Sequence, residues 1–339
     1  MRGTLKIMKT RTIFLCLAAL CALILNATLA QAQTLHLDPA KVMGPDACGE
    51  CHKASVEAWK GSHHFSTFKT LPRQKEARAI AKKMGLKRIK ADGDCLSCHF
   101  TSAMVKNKRK PIAGIACESC HGAGRDWIKV HSDFGGKDMK AENEAPAHKL
   151  ERYSKSEAAG MIRPGNLYQV AQNCFGCHTV PNEKLVNVGG HTAGSKIELV
   201  AWSQGEVRHN VWYSKENRVS PIERQRMIYL VGRALDLEYA LRGVAKATTK
   251  ARYAVKMAKR VKYARKRIKA IAKLVDAPEL MAMYTAAKAV KLKLNNEAKF
   301  IAAADEVGRH ARALASKYDG STFSGLDAVL PTADKFKGK

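Results

Sequence analysis

The longest apolar run in the chain comes near its start. Ile13 to Leu25 is almost uninterrupted, yet it is shorter than the roughly 20 residues that a bilayer span requires. Arg2, Lys6, Lys9 and Arg11 precede it, and Ala30-Gln31-Ala32 follows. These are the basic, apolar and small-residue zones of an export signal. Cleavage is expected after Ala32, which leaves residues 1–32 outside the fold. Cys21 follows Leu20 rather than a small residue, which argues against a lipid anchor. No later stretch reads as a membrane span, so the mature chain is expected to be exported, periplasmic and soluble.

A second pattern begins at Ser220-Pro221-Ile222-Glu223, which reads as a capping box with Pro at the first helical position. Leu230, Ala234, Leu237, Leu241 and Val244 recur at steps of four and three, a stripe suited to pairing helices. Only isolated Gly232 and Gly243 interrupt the helical pattern up to about Leu274. Asp276-Ala277-Pro278 restarts a second helix, and Asn295-Asn296 starts a third that ends near Gly320. Residues 216–320 are therefore expected to form a helical extension. Residues 321–339 are expected to be a flexible tail, and residues 33–215 a separate domain.

Charge and composition sharpen this outline. The chain carries 59 Lys plus Arg against 30 Asp plus Glu. Losing residues 1–32 removes four basic residues and no acid, leaving 55 against 30 and a balance of +25. An apolar fraction of 46% argues against wholesale disorder. Aromatic residues are only 6%, so something other than Phe, Tyr and Trp is expected to fill part of the interior. Lys246 to Lys273 holds twelve Lys or Arg and no acid. The plain reading is a solvated helix face. The sharper one is a docking surface for an acidic redox partner or an anionic membrane surface. Nucleic acid is a poor fit for an exported chain.

The cysteines supply the chemistry. Beyond residue 32 there are eight: Cys48 and Cys51, Cys95 and Cys98, Cys117 and Cys120, Cys174 and Cys177. Each pair has Cys-x-x-Cys spacing and is followed at once by His52, His99, His121 or His178. This is the attachment signature of c-type haem: two thiols form thioethers, and the adjacent His binds iron from the proximal side. Zinc ribbons and disulfides also use paired Cys, but neither demands His after every pair. Four covalent haem c groups are expected, with no disulfide and no free thiol. Four large flat cofactors would also account for the scarcity of aromatic residues, because they would be the core of that region.

Up to four irons would need a sixth ligand. The histidines outside the motifs are His36, His63, His64, His131, His148, His191, His209 and His310. His63 and His64 follow the first motif, His131 follows the third, and His191 and His209 follow the fourth. Adjacent residues on a helix point about 100° apart, so only one of His63 and His64 can face an iron.

The segment Cys48 to His64, with Trp59 before the paired histidines, resembles the tetrahaem cytochrome c554 family. So does Cys117-Glu-Ser-Cys-His-Gly-Ala-Gly-Arg125, with His131 ten residues beyond His121. The resemblance covers roughly residues 44–210. It implies a mainly α multihaem core with little regular sheet, three bis-His haems and a five-coordinate second haem. By position it makes His64, His131 and His209 the distal ligands, with His191 the runner-up to His209. The function expected is electron transfer between redox partners, with no catalytic side chain. The alternative is a haem enzyme acting on a small nitrogen or sulfur species at the second haem. Beyond the haem core the match ends. Long helices following a haem core build oligomers in the related hydroxylamine oxidoreductase group, and by analogy the C-terminal helices here would do the same.

Overall fold

In a computed structural model of the chain, residues 37–338 are described, except Asp92 and residues 212–215. The expected export signal and His36 lie outside the described residues. The first part is built from short helices: α1 (Pro45–Gly49), α2 (Lys53–Lys60), α3 (His63–Thr70), α4 (Lys75–Lys83), α5 (Asp94–His99) and α6 (Cys117–His121). Between α5 and α6 runs an antiparallel hairpin, β1 (Thr101–Val105) and β2 (Lys108–Ala113). Lys106 and Asn107 turn it with φ of 49° and 57°, the left-handed pair that matches the twist of two strands. The fold is therefore mainly α, with one two-stranded sheet among the described residues.

Longer helices follow: α7 (Pro146–Ala158), α8 (Leu167–His178), the short α9 (Glu183–Asn187) and α10 (Leu199–Ser203), then α11 (Ile222–Ala245), α12 (Arg252–Ile271), α13 (Pro278–Lys288) and α14 (Glu297–Lys317). The stripe on α11 is covered within the chain itself. Leu230, Ala234, Leu237 and Leu241 are fully buried, and Val244 nearly so. In fact α11 is buried almost all round, as befits a central helix. The two glycines in it mark close approaches: a Cβ at Gly232 would stand 2.6 Å from Leu199 Cβ, and one at Gly243 would stand 2.7 Å from Met257 Sδ.

Three expectations are corrected here. The helix expected to run unbroken to Leu274 stops at Ala245 and restarts at Arg252. Thr248 and Thr249 both donate backbone and hydroxyl bonds to the Glu183 carboxylate at 2.7–3.3 Å, which holds the chain in a turn. The capping box does not form, because the Ser220 N–H bonds Gln204 Oε1 instead, at 2.7 Å. Residues 321–338 are not a loose tail. Phe323, Leu326 and Phe336 are buried, Arg226 grips Asp327 with two bonds of 2.7 and 2.8 Å, and the Lys337 N–H bonds the Ala201 carbonyl.

The expected boundary near residue 215 is bridged by packing. Tyr168, Ala171 and Phe175 of α8 belong to the same buried cluster as α11, α12 and α14. Tyr168 also donates to the fully buried Glu238 of α11 at 2.7 Å. The described part of residues 37–160, by contrast, holds a small separate apolar cluster around Ala81, Ile89, Leu96 and Phe100.

Candidate haem centres

Each Cys-x-x-Cys-His motif adopts a helical turn. The second fills α5, the third fills α6, and the fourth ends α8. The first straddles α1 and α2, where the His52 N–H bonds the Cys48 carbonyl at 2.9 Å. Residues at i, i+3 and i+4 of a turn share one face, so both thiols and the imidazole are presented together.

The motifs also touch one another. The Cys48 and Cys117 thiols lie close enough to shift each other's acidity, as do those of Cys98 and Cys177. Asn173 in α8 bonds the Cys120 carbonyl at 2.9 Å. The motifs thus lie in the spatial order first, third, fourth, second, which sequence spacing does not reveal. The hairpin contributes too: Thr101 Oγ1 lies 2.9 Å from Ser119 Oγ and accepts from the Ala116 N–H at 3.0 Å.

Opposite each motif histidine stands a second imidazole. Ring centroids are 6.2 Å apart for His52 and His131, 6.2 Å for His64 and His178, 6.4 Å for His99 and His191, and 6.1 Å for His121 and His209. Two metal–imidazole bonds of about 2 Å each, plus the depth of two rings, put the centroids about 6 Å apart when one metal lies between them. Among the described residues, no three of His, Cys, Asp or Glu converge as a bare structural metal ion would need. Pairs of opposed imidazoles suit an iron whose remaining positions a porphyrin fills. The main apolar cluster lies beyond residue 160 rather than around these motifs, and the buried Trp127 Nε1 beside His131 has no protein partner.

The surroundings prepare these imidazoles as ligands. His121 Nδ1 bonds the Ile162 carbonyl at 2.9 Å, His131 Nδ1 that of Ile128 at 2.6 Å, His191 Nδ1 that of Thr192 at 2.9 Å, and His209 Nδ1 that of Val207 at 2.8 Å. A carbonyl on Nδ1 fixes the N–H there and leaves Nε2 with its lone pair for a metal. Burial lowers the basicity of His52, His64, His99, His121, His131 and His178, bringing His99 and His178 to about 4. These six are therefore neutral at pH 7, the form a metal binds. His131 is further braced by Arg152, which donates to its carbonyl at 2.6 Å and holds the Glu144 carboxyl at about 2.

The other described histidines sit elsewhere. His63 Nδ1 is 2.5 Å from Glu206 on the surface, His148 Nδ1 2.7 Å from Glu144, and His310 Nε2 3.1 Å from Glu306. Of the adjacent pair, His64 is the one brought to a motif histidine. His191 and His209 do not compete for one position, since each faces a different motif. The pairing of His191 with His99 was not legible beforehand.

A profile of the family described as cytochrome c554 and c-prime matches residues 47–122. The chain is also similar to cytochrome c-554 of Nitrosomonas europaea, with 29% identity over 168 residues. The aligned stretch is 47% of this chain and 66% of that protein, a little under two thirds of its length. No solved structure matches the chain. Through the segment that carries its first three Cys-x-x-Cys-His motifs, the chain is similar to the cytochrome c554 family.

Proposed function

We propose that this chain is a periplasmic tetrahaem cytochrome that carries electrons between redox partners. The observation that carries this reading is the contiguous run of motifs, first, third, fourth and second, each facing an opposed imidazole. In this reading the eight motif cysteines hold four haem c groups by thioether bonds, and His52, His99, His121 and His178 are proximal ligands. His131, His64 and His209 are distal ligands of the first, fourth and third centres. Each haem supplies an iron that cycles between ferric and ferrous. The protein's part is to fix ligand geometry and keep the centres in contact order; bis-His ligation favours lower potentials than Met/His ligation. No side chain is required to move a proton.

Mass spectrometry of the exported holoprotein tests this reading. The expected result is a chain beginning near Gln33 with four covalent haems. Fewer haems, or zinc in their place, would overturn it.

The basic helix α12 supplies a docking face in the same reading. Tyr253, Met257, Val261 and Ile268 bury one side of it, while Lys256, Lys259, Lys262, Lys266 and Lys269 are exposed. Arg265 is not part of that face. It donates to the Ala287 and Val290 carbonyls at the end of α13 and belongs to the packing. An acidic redox protein would be attracted over about 10 Å at 0.1 M salt. Replacing the five exposed lysines with Gln is expected to slow stopped-flow electron exchange with such a partner about tenfold at low salt. The salt dependence should flatten and the haem spectra should stay as they were. A salt slope equal to the wild type would return α12 to a solvated surface.

A further inference from the structure

We infer that the second haem centre of this chain, on Cys95, Cys98 and His99, is six-coordinate, with His191 as its distal ligand. The inference rests on the tetrahaem reading above and departs from the open second centre that the family resemblance implies.

Three observations converge on His191. Its ring lies 6.4 Å from that of His99, within 0.3 Å of the separation in each of the other three pairs. Its Nδ1 is tied to a local carbonyl, that of Thr192 at 2.9 Å, as those of His131 and His209 are tied to theirs. Nε2 is thereby left as the coordinating atom. The remaining described histidines outside the pairs, His63, His148 and His310, are engaged by carboxylates.

The loop that carries His191 is built to hold it. The His191 N–H bonds the Leu185 carbonyl at 3.2 Å, and the Ser195 N–H bonds the carbonyl of His178 in the fourth motif at 2.8 Å. Arg260 of α12 donates to the Ser195 carbonyl at 3.0 Å. Gly190 and Gly194 take φ of 81° and 83° on either side of the histidine, a conformation that any other residue would adopt only with strain. The short helix before the loop is anchored through Asn187, whose side chain accepts from the Tyr253 N–H at 2.9 Å. A surface histidine without a ligand role has no need of such a frame.

The functional consequence concerns what the second centre can do. Reduction of a small nitrogen or sulfur species at iron needs a vacant or readily vacated position. With His191 in place the second centre is a relay at the end of the motif series, opposite the end that bears the first motif.

Low-temperature electron paramagnetic resonance of the fully oxidised holoprotein, with haem content measured on the same sample, tests this inference. All four centres are expected to be low-spin, with no high-spin ferric signal. His191→Gly should convert one of the four to high-spin, and added imidazole should restore it. The reduced variant should bind one equivalent of carbon monoxide where the wild type binds none. A wild type that carries four haems with one high-spin would overturn the His191 assignment and leave the tetrahaem reading standing. A haem content below four would instead overturn the tetrahaem reading. The wild-type spectrum decides the matter even if the variant does not fold.

Discussion

Glu118→Ala is expected to cost this protein on the order of 3 kcal/mol of stability, because two buried backbone donors and one part-buried donor would lose a partner at about 1–3 kcal/mol for each buried one. Glu118 is only 1% exposed. Its carboxylate accepts from the N–H groups of Met43, Gly44 and Gly124 at 2.9, 2.8 and 2.6 Å. It stands at one of the two unspecified positions of the third motif, and its bonds fasten the approach to the first motif onto the third. Guanidinium denaturation followed by far-ultraviolet circular dichroism and by haem absorbance should show a lower midpoint by both probes. Glu118→Gln, which keeps an acceptor oxygen, should lose less. A midpoint equal to that of the wild type would mean that water replaces the carboxylate at no cost.

Gly114→Ala is expected to loosen the same region from another direction. A Cβ at Gly114 would lie 1.9 Å from the His64 carbonyl oxygen and 3.2 Å from that of Phe65. Both are backbone atoms, so neither rotates away. Overpacking of this kind costs about 1–3 kcal/mol and sometimes more. Relief would move α3 and carry His64 away from His178. The expected signature is therefore double: a lower thermal midpoint, and partial loss of low-spin intensity from one centre. Gly165→Ala is the control, since a Cβ there meets nothing within 4 Å. Equal behaviour of the two variants would show that α3 yields without disturbing His64.

What was legible in the sequence was local. The four motifs needed only spacing, and the apolar stripe of α11 needed only the helical period. The starts of α13 and α14 needed only Pro278 and Asn296 as punctuation. What escaped depends on residues far apart along the chain. The break after Ala245 is made by Glu183, whose carboxylate collects the N–H and hydroxyl groups of residues 248 and 249 from more than sixty positions away. The docked C-terminus depends on Arg226 meeting Asp327. Helical propensity says nothing of either. The histidine pairs escaped for the same reason. No motif histidine is met by an imidazole from its own helix, so position along the chain could nominate His191 and His209 but could not deal them out. The role of Glu118 is likewise invisible in the spacing, because a sequence motif marks the residues that bond the cofactor and not those that hold the motif.

The docked C-terminus also bears on the order in which this molecule is made. The Lys337 carbonyl accepts from the Glu206 N–H at 2.8 Å, its own N–H reaches the Ala201 carbonyl at 2.9 Å, and Gly205 lies against it where any Cβ would collide. The stretch just ahead of His209 is thus fastened by Lys337, which lies far downstream in the sequence. Polypeptides emerge from the amino end, so every cysteine motif is available long before that fastening exists. Thioether attachment can proceed on a chain that has not yet reached residue 337, whereas the setting of His209 against His121 must wait for it. Nascent chains arrested before residue 337 would separate the two events in time.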